Sequence, residues 1–162
     1  MAEEIRNDYE VSSEGAVRHW PVPYARMTDV TPTPTQPARL TGITAGSNVC
    51  GTVLSIDPSD SIAVVDFTCG MVYLHEVRNV LTYAAAVEDT WGVINIGQRI
   101  YYDGSATMPA GTKLSLSPLD NTGAANDLYG TAVYSGRVTY PLGTAGVAST
   151  QEVPVMQRGA GA

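Results

Sequence analysis

Thr90-Trp91-Gly92-Val93-Ile94-Asn95-Ile96-Gly97-Gln98-Arg99-Ile100-Tyr101-Tyr102-Asp103-Gly104 is the stretch whose reading decides the fold. Ile100-Tyr101-Tyr102 has strong strand preference, because β-branched and aromatic side chains pack well on a pleated surface. The turn pair Gly97-Gln98 precedes it and Asp103-Gly104 closes it, since glycine reaches positive φ without a Cβ clash. A short strand between two sharp turns, with similar runs on either side, points to an all-β chain.

Those neighbouring runs lie at Val49–Ile56, Ser61–Phe67, Met71–Val77, Val80–Ala85, Thr112–Ser117, Leu128–Tyr134 and Gln151–Met156. Asp57-Pro58-Ser59-Asp60, Cys69-Gly70, Pro109-Ala110-Gly111, Asp120-Asn121-Thr122-Gly123 and Pro141-Leu142-Gly143 supply turns between them. Val87–Trp91 reads as one helical turn. Many short strands with frequent turns predict a small antiparallel β-barrel or sandwich. The absence of a βαβ rhythm argues against a parallel sheet. The apolar positions expected inside are Val53, Ile56, Val64, Phe67, Val72, Leu74, Ile100, Leu116 and Val133.

Residues 1–38 read differently. Ile5 and Tyr9 stand one helical turn apart near Glu3–Glu10. Then Trp20-Pro21-Val22-Pro23-Tyr24 and Thr31-Pro32-Thr33-Pro34-Thr35-Gln36-Pro37 predict an extended, polyproline-like strap, because each proline fixes its own φ and extends the residue before it. A frayed tail is the plainer alternative, but a linker seldom carries Trp, Tyr, Val and Ile. An arm that docks on its own domain or on a neighbour is the favoured reading. Its candidate contact residues are Trp20, Tyr24, Arg18, Arg26, Pro32 and Pro34, with Arg6, Arg18 and Arg26 able to pair with carboxylates of a neighbouring subunit. The division expected is an arm at 1–38, a β domain at 39–157 and a Gly/Ala-rich tail at 158–162, so deleting the arm should leave the domain folded.

The 162 residues suffice for one domain with an arm, or one domain with a small annex. Charged residues make up only 15%, against roughly 25% in ordinary globular chains. The polar surface therefore falls to Thr, Ser, Asn and Gly, which suits a surface partly covered by partners. Net charge is −7 with Lys113 the single lysine, so nucleic-acid binding is not expected. No apolar run approaches the ~20 residues of a membrane span, and Met1–Glu10 lacks the pattern of a signal peptide; synthesis in the cytosol is expected. Cys50 and Cys69 read as buried free thiols, with a disulfide geometrically open.

No catalytic motif stands out. His19 and His75 lie far apart, and His75 reads as a structural or surface residue on a strand. No G-x-S-x-G, H-E-x-x-H or phosphate-cradling glycine loop occurs. Asp57, Asp60 and Asp66 lack the glycine and glutamate of a calcium loop. An enzyme, a metal site or a cofactor is not expected. Two readings remain: a structural protein that binds a repeated protein surface, or a carbohydrate- or ligand-binding β module that stacks its ligand on Trp20, Trp91, Tyr101 or Tyr102.

Gly97-Gln98-Arg99-Ile100-Tyr101-Tyr102-Asp103 resembles a segment of the small capsid decoration, or cement, proteins of tailed bacteriophages. Leu114-Ser115-Leu116-Ser117 is similar to the hairpin that follows it in that family. Asn126-Asp127-Leu128-Tyr129-Gly130-Thr131-Ala132-Val133 is similar to the next apolar strand. Asn48-Val49-Cys50-Gly51-Thr52-Val53 resembles an earlier strand punctuated by glycine. Gln98 stands where the family has Asp, and the front arm is longer than in the simplest members. The resemblance implies a non-enzymatic virion protein, made in the host cytoplasm and seated on the outer capsid surface. It also implies a homotrimer whose partner is the major capsid protein, bracing the shell through many weak identical contacts.

Overall fold

The structure, a computed structural model, describes residues 19–28, 32–40, 49–83, 88–90, 94–103, 113–120, 122–134 and 150–159. These residues are all-β, as expected. The strands are β1 His19–Pro23, β2 Pro37–Arg39, β3 Cys50–Asp57, β4 Ile62–Asp66, β5 Val72–Arg78, β6 Val80–Tyr83, β7 Glu88–Thr90, β8 Arg99–Tyr102, β9 Leu114–Ser115, β10 Asp127–Ala132 and β11 Thr150–Gln157. Glu88–Thr90 is strand rather than helix, because it pairs with β6 from Val80 to Tyr83. The helical turn expected near residues 3–10 lies outside the described residues.

Strands β10-β11-β5-β9-β8 close into a barrel. All its pairs are antiparallel except β5–β9, a two-residue parallel contact of Val77 with Leu114 and Arg78 with Ser115. The small antiparallel barrel expected from the sequence is thus borne out, with this one short parallel contact in its ring. The organising stretch behaves as read. Gly97 holds φ +87 in the turn Asn95–Gln98, and Ile100 and Tyr102 are fully buried on β8. They share a core with Val77, Ile94, Leu114, Leu116, Tyr129, Val153 and Val155.

Strand β5 presents the opposite face to the one expected. Tyr73, His75 and Val77 point inward, while Val72 and Leu74 are 48% and 58% exposed. Both parities of this strand carry apolar residues, so alternation alone is ambiguous; Glu76, which shares the parity of Val72 and Leu74, marks the solvent side. Of the other expected core positions, Val53, Phe67, Ile100 and Leu116 are buried and Ile56, Val64 and Val133 are half-buried.

The second sheet has the order β1-β4-β3-β2. Its outer strands come from the proline-rich stretch. The boundary expected at residue 38 therefore falls inside β2, and Val22, Met27 and Ala38 share one core with Val53, Ala63, Val65 and Phe67. Placement of the prolines explains how such a segment joins a sheet. The Tyr24 N–H bonds to Ser61 O at 2.9 Å, so even-numbered residues of β1 face β4, while Pro21 and Pro23 turn their nitrogens outward. The Leu40 N–H bonds to Val49 O at 3.0 Å, and Pro37 by the same alternation faces away from β3. No ladder donor is lost, and both edges are blunted against further strand pairing. From β1 a 3-10 turn at Tyr24–Arg26 leads to Met27, which bridges Leu40, and Thr28 N donates to Arg39 O at 2.9 Å. The sheet thus curls until the segment leaving one edge meets the other.

Gly51 lies where a Cβ would stand 2.3 Å from Asp66 O and 2.7 Å from Phe67 Cδ1. This glycine is required by the close approach of β3 to β4. Both cysteines are free; Cys50 is buried as expected, but Cys69 is exposed in its turn.

Candidate functional site

Two features join chemistry to this fold: a buried polar seam between the curled sheet and the barrel, and a cleft beside it. Thr52 of β3 stands at the seam's centre. Its Oγ1 donates to Gln157 Oε1 at 2.9 Å and lies 2.8 Å from Tyr129 Oη and 3.2 Å from His75 Nε2. Tyr129 Oη also donates to Gly51 O at 2.9 Å and lies 3.0 Å from His75 Nε2. Gln157 Nε2 donates to Asp66 O at 3.0 Å and Thr68 O at 2.9 Å. Two hydroxyl hydrogens cannot serve all these contacts, so we assign the proton of His75 to Nε2, from which it donates into the cluster. Burial pushes His75 down to about 4, so the imidazole is neutral near pH 7. Burial also pushes the Tyr129 phenol well up.

The seam extends to both sides. Asp66, buried on β4, accepts from Thr68 N at 2.8 Å and from the Tyr73 hydroxyl, and His19 Nε2 lies 3.6 Å from it. Burial, with that carboxylate beside it, raises the Tyr73 phenol. Arg39 of β2 pairs with Asp127 of β10 at 2.6 Å, and its guanidinium carbon sits 5.3 Å from the Tyr102 ring centroid. Each of these groups has a partner, with Asp66 buried and His19 partly exposed. They tie the curled sheet to the barrel.

The cleft holds about 320 Å³ and lies between the Thr33–Pro37 turn and Leu74, Glu76 and Glu152 on the barrel's outer wall, with His75 at its lining. One lip is rigid. Gln36 Oε1 accepts from Thr33 N at 3.0 Å and Thr33 Oγ1 at 2.9 Å, and Thr35 N donates to Val53 O at 2.7 Å. Thr35 holds φ +69, an uncommon conformation for a β-branched residue. On the other side β5 and β11 register Val72 with Met156, Leu74 with Pro154 and Glu76 with Glu152. The outward face therefore carries an apolar row, Val72, Leu74 and Met156, ending in two directly opposed carboxylates.

Of the residues singled out from sequence, Trp20 is 49% exposed on β1 and Arg26 is exposed at the end of the 3-10 turn. Tyr24 is half-buried against the curled sheet's core and Pro32 is buried, so both are used within the chain. Pro34 is exposed at the cleft's lip. Arg18 and Trp91 lie outside the described residues. Trp20 lies on β1 and the Pro34 turn leads into β2, the two outer strands of the curled sheet. Tyr102 is fully buried and Tyr101 half-buried, so the tyrosine pair is no open stacking platform. Sequence reading missed Glu76, Glu152 and Leu74 as lining residues of a cleft, although the parity of Glu76 carried the signal for the outward face. It also missed Thr52, Tyr129 and Gln157, for which strand alternation offers none.

Asp57 Oδ1 is occupied within its own turn, accepting from Ser59 N at 3.1 Å, and Asp66 is turned into the seam. Among the described residues no three His, Cys, Asp or Glu side chains are grouped to hold a metal ion. Comparison with protein-family models, with curated proteins and with solved structures finds no match to this chain.

Proposed function

We propose that this chain is a structural virion protein that binds the outer surface of a phage head, contacts its major capsid protein and braces the shell, acting as a homotrimer. The observation that carries the reading is the placement of the segments resembling decoration proteins. Arg99–Tyr102, Leu114–Ser115 and Asp127–Ala132 are the neighbouring strands β9-β8-β10 of one barrel, so three of the four resembling segments share one continuous wall, while Cys50–Val53 of the fourth lies on β3 of the curled sheet. The exposed row of Val72, Leu74 and Met156 adds apolar area available to a partner.

The test is to add purified protein to undecorated, expanded heads, pellet them and count bound copies, with sedimentation of the free protein for its oligomeric state. Saturable uptake at a copy number set by the shell's symmetry supports the reading. A protein that stays in the supernatant at every concentration overturns it, and a glycan array then addresses the ligand-binding alternative.

A further inference from the structure

The cleft beside the seam has a composition that the fold alone does not account for. Glu76 and Glu152 face each other across the β5–β11 pair, and neither has an ion pair or hydrogen bond among the described residues. Like charges placed directly opposite on a sheet destabilise it. We propose that this cleft is a docking groove for an extended basic segment of a partner protein. An arginine side chain lies between Glu76 and Glu152, and an apolar neighbour rests on Leu74 and Pro34.

Four observations fix the occupant's chemistry. A guanidinium is planar and many-donored, so it satisfies two carboxylates at once and removes their mutual repulsion. Leu74 is 58% exposed between Glu76 and the further apolar residues Val72 and Met156, so a segment lying along the strands meets charge and then apolar surface. Strands β5 and β11 are paired with each other from Val72–Met156 to Arg78–Thr150, so across the groove they offer a segment their outward side chains. The segment is therefore held by side chains across the face. The opposite lip, Thr33–Pro37, is fixed by the Gln36 side chain and by two backbone bonds to Val53, so little order is lost when it is covered. A net charge of −7 and two carboxylates at the site exclude a phosphate backbone or an anionic lipid surface as the occupant. This inference goes beyond shell attachment and does not require it.

A fluorescent nine-residue peptide alternating arginine and leucine is titrated into the full-length protein and read by anisotropy, beside the same peptide with glutamine in place of arginine. The arginine peptide is expected to bind and the glutamine peptide to bind at least about tenfold more weakly. The double substitution Glu76→Gln and Glu152→Gln should weaken the arginine peptide by about tenfold, and Leu74→Ser should weaken both peptides. Thermal melting of the double variant should match or exceed that of the parent, because a repulsive pair is gone. Equal affinity for the two peptides, unchanged binding by the double variant, or a double variant that melts well below the parent overturns the proposal. The titration contains no heads, so its failure leaves the shell reading standing, and failure of heads to take up protein leaves the groove standing.

Discussion

Thr52→Val is the sharpest probe of how the two sheets are held together. The substitution keeps shape and removes one hydroxyl from the centre of the seam. Tyr129 retains Gly51 O as an acceptor and His75 retains Tyr129. Gln157 Oε1 loses its donor and is left buried, because Gln157 is 1% exposed. An orphaned buried acceptor costs about 1–3 kcal/mol, and the added methyl returns a fraction of that. The expected loss is about 2 kcal/mol, or about 4–8 °C in melting temperature for a chain of this size. Urea denaturation followed by far-ultraviolet circular dichroism measures it. A variant within about 0.5 kcal/mol of the parent, the range of an ordinary surface change, would show that water reaches Gln157 and that the seam does not bind the sheets.

The remaining predictions test other parts of the same reasoning. His75 is held at about 4 in the fold against an ordinary 6.5, so the unfolded chain binds the extra proton; stability is whole above pH 6.5 and falls as pH drops towards 4, by up to about 3 kcal/mol. His75→Gln should flatten that slope in denaturation midpoints taken across the interval, and an unchanged slope would remove His75 as its source. Gly51→Ala forces a Cβ against the Asp66 carbonyl and should cost at least about 3 kcal/mol by parting β3 from β4; an unchanged denaturation midpoint would contradict the close approach. Deleting residues 1–38 removes β1 and takes Val22, Met27 and Ala38 from the core, so the remainder should lose cooperative melting; a cooperative transition near the parent's would restore the separate-arm reading. Burial, with the Asp127 carboxylate nearby, pushes the Cys50 thiol up to about 12, so a thiol reagent at neutral pH should label Cys69 alone in the native protein and both cysteines in denaturant.

Local chemistry determined much of this protein from sequence alone. Ile100-Tyr101-Tyr102 is a strand because its side chains suit no other backbone so well, and Gly97 and Gly70 are turns because their φ values, +87 and +85, are ones that glycine reaches freely. Asp57 and Asp120 anchor turns by accepting from backbone N–H groups two residues on, at 3.1 and 2.8 Å. Tertiary structure decided what such rules cannot reach. Pro21, Pro23 and Pro37 read as an unpaired strap until their nitrogens are seen to face away from β4 and β3, which makes the same prolines compatible with edge strands. Strand β5 could bury either Leu74 or His75; the choice fell to His75 because Thr52 and Tyr129, 23 and 54 residues away in sequence, supply its hydrogen-bond partners. The cleft likewise exists only once the Thr33–Pro37 turn comes to lie beside Leu74, Glu76 and Glu152 of the barrel wall. A side chain's preference for strand or turn is a property of its own backbone, whereas the face it buries depends on which distant residues arrive to satisfy it.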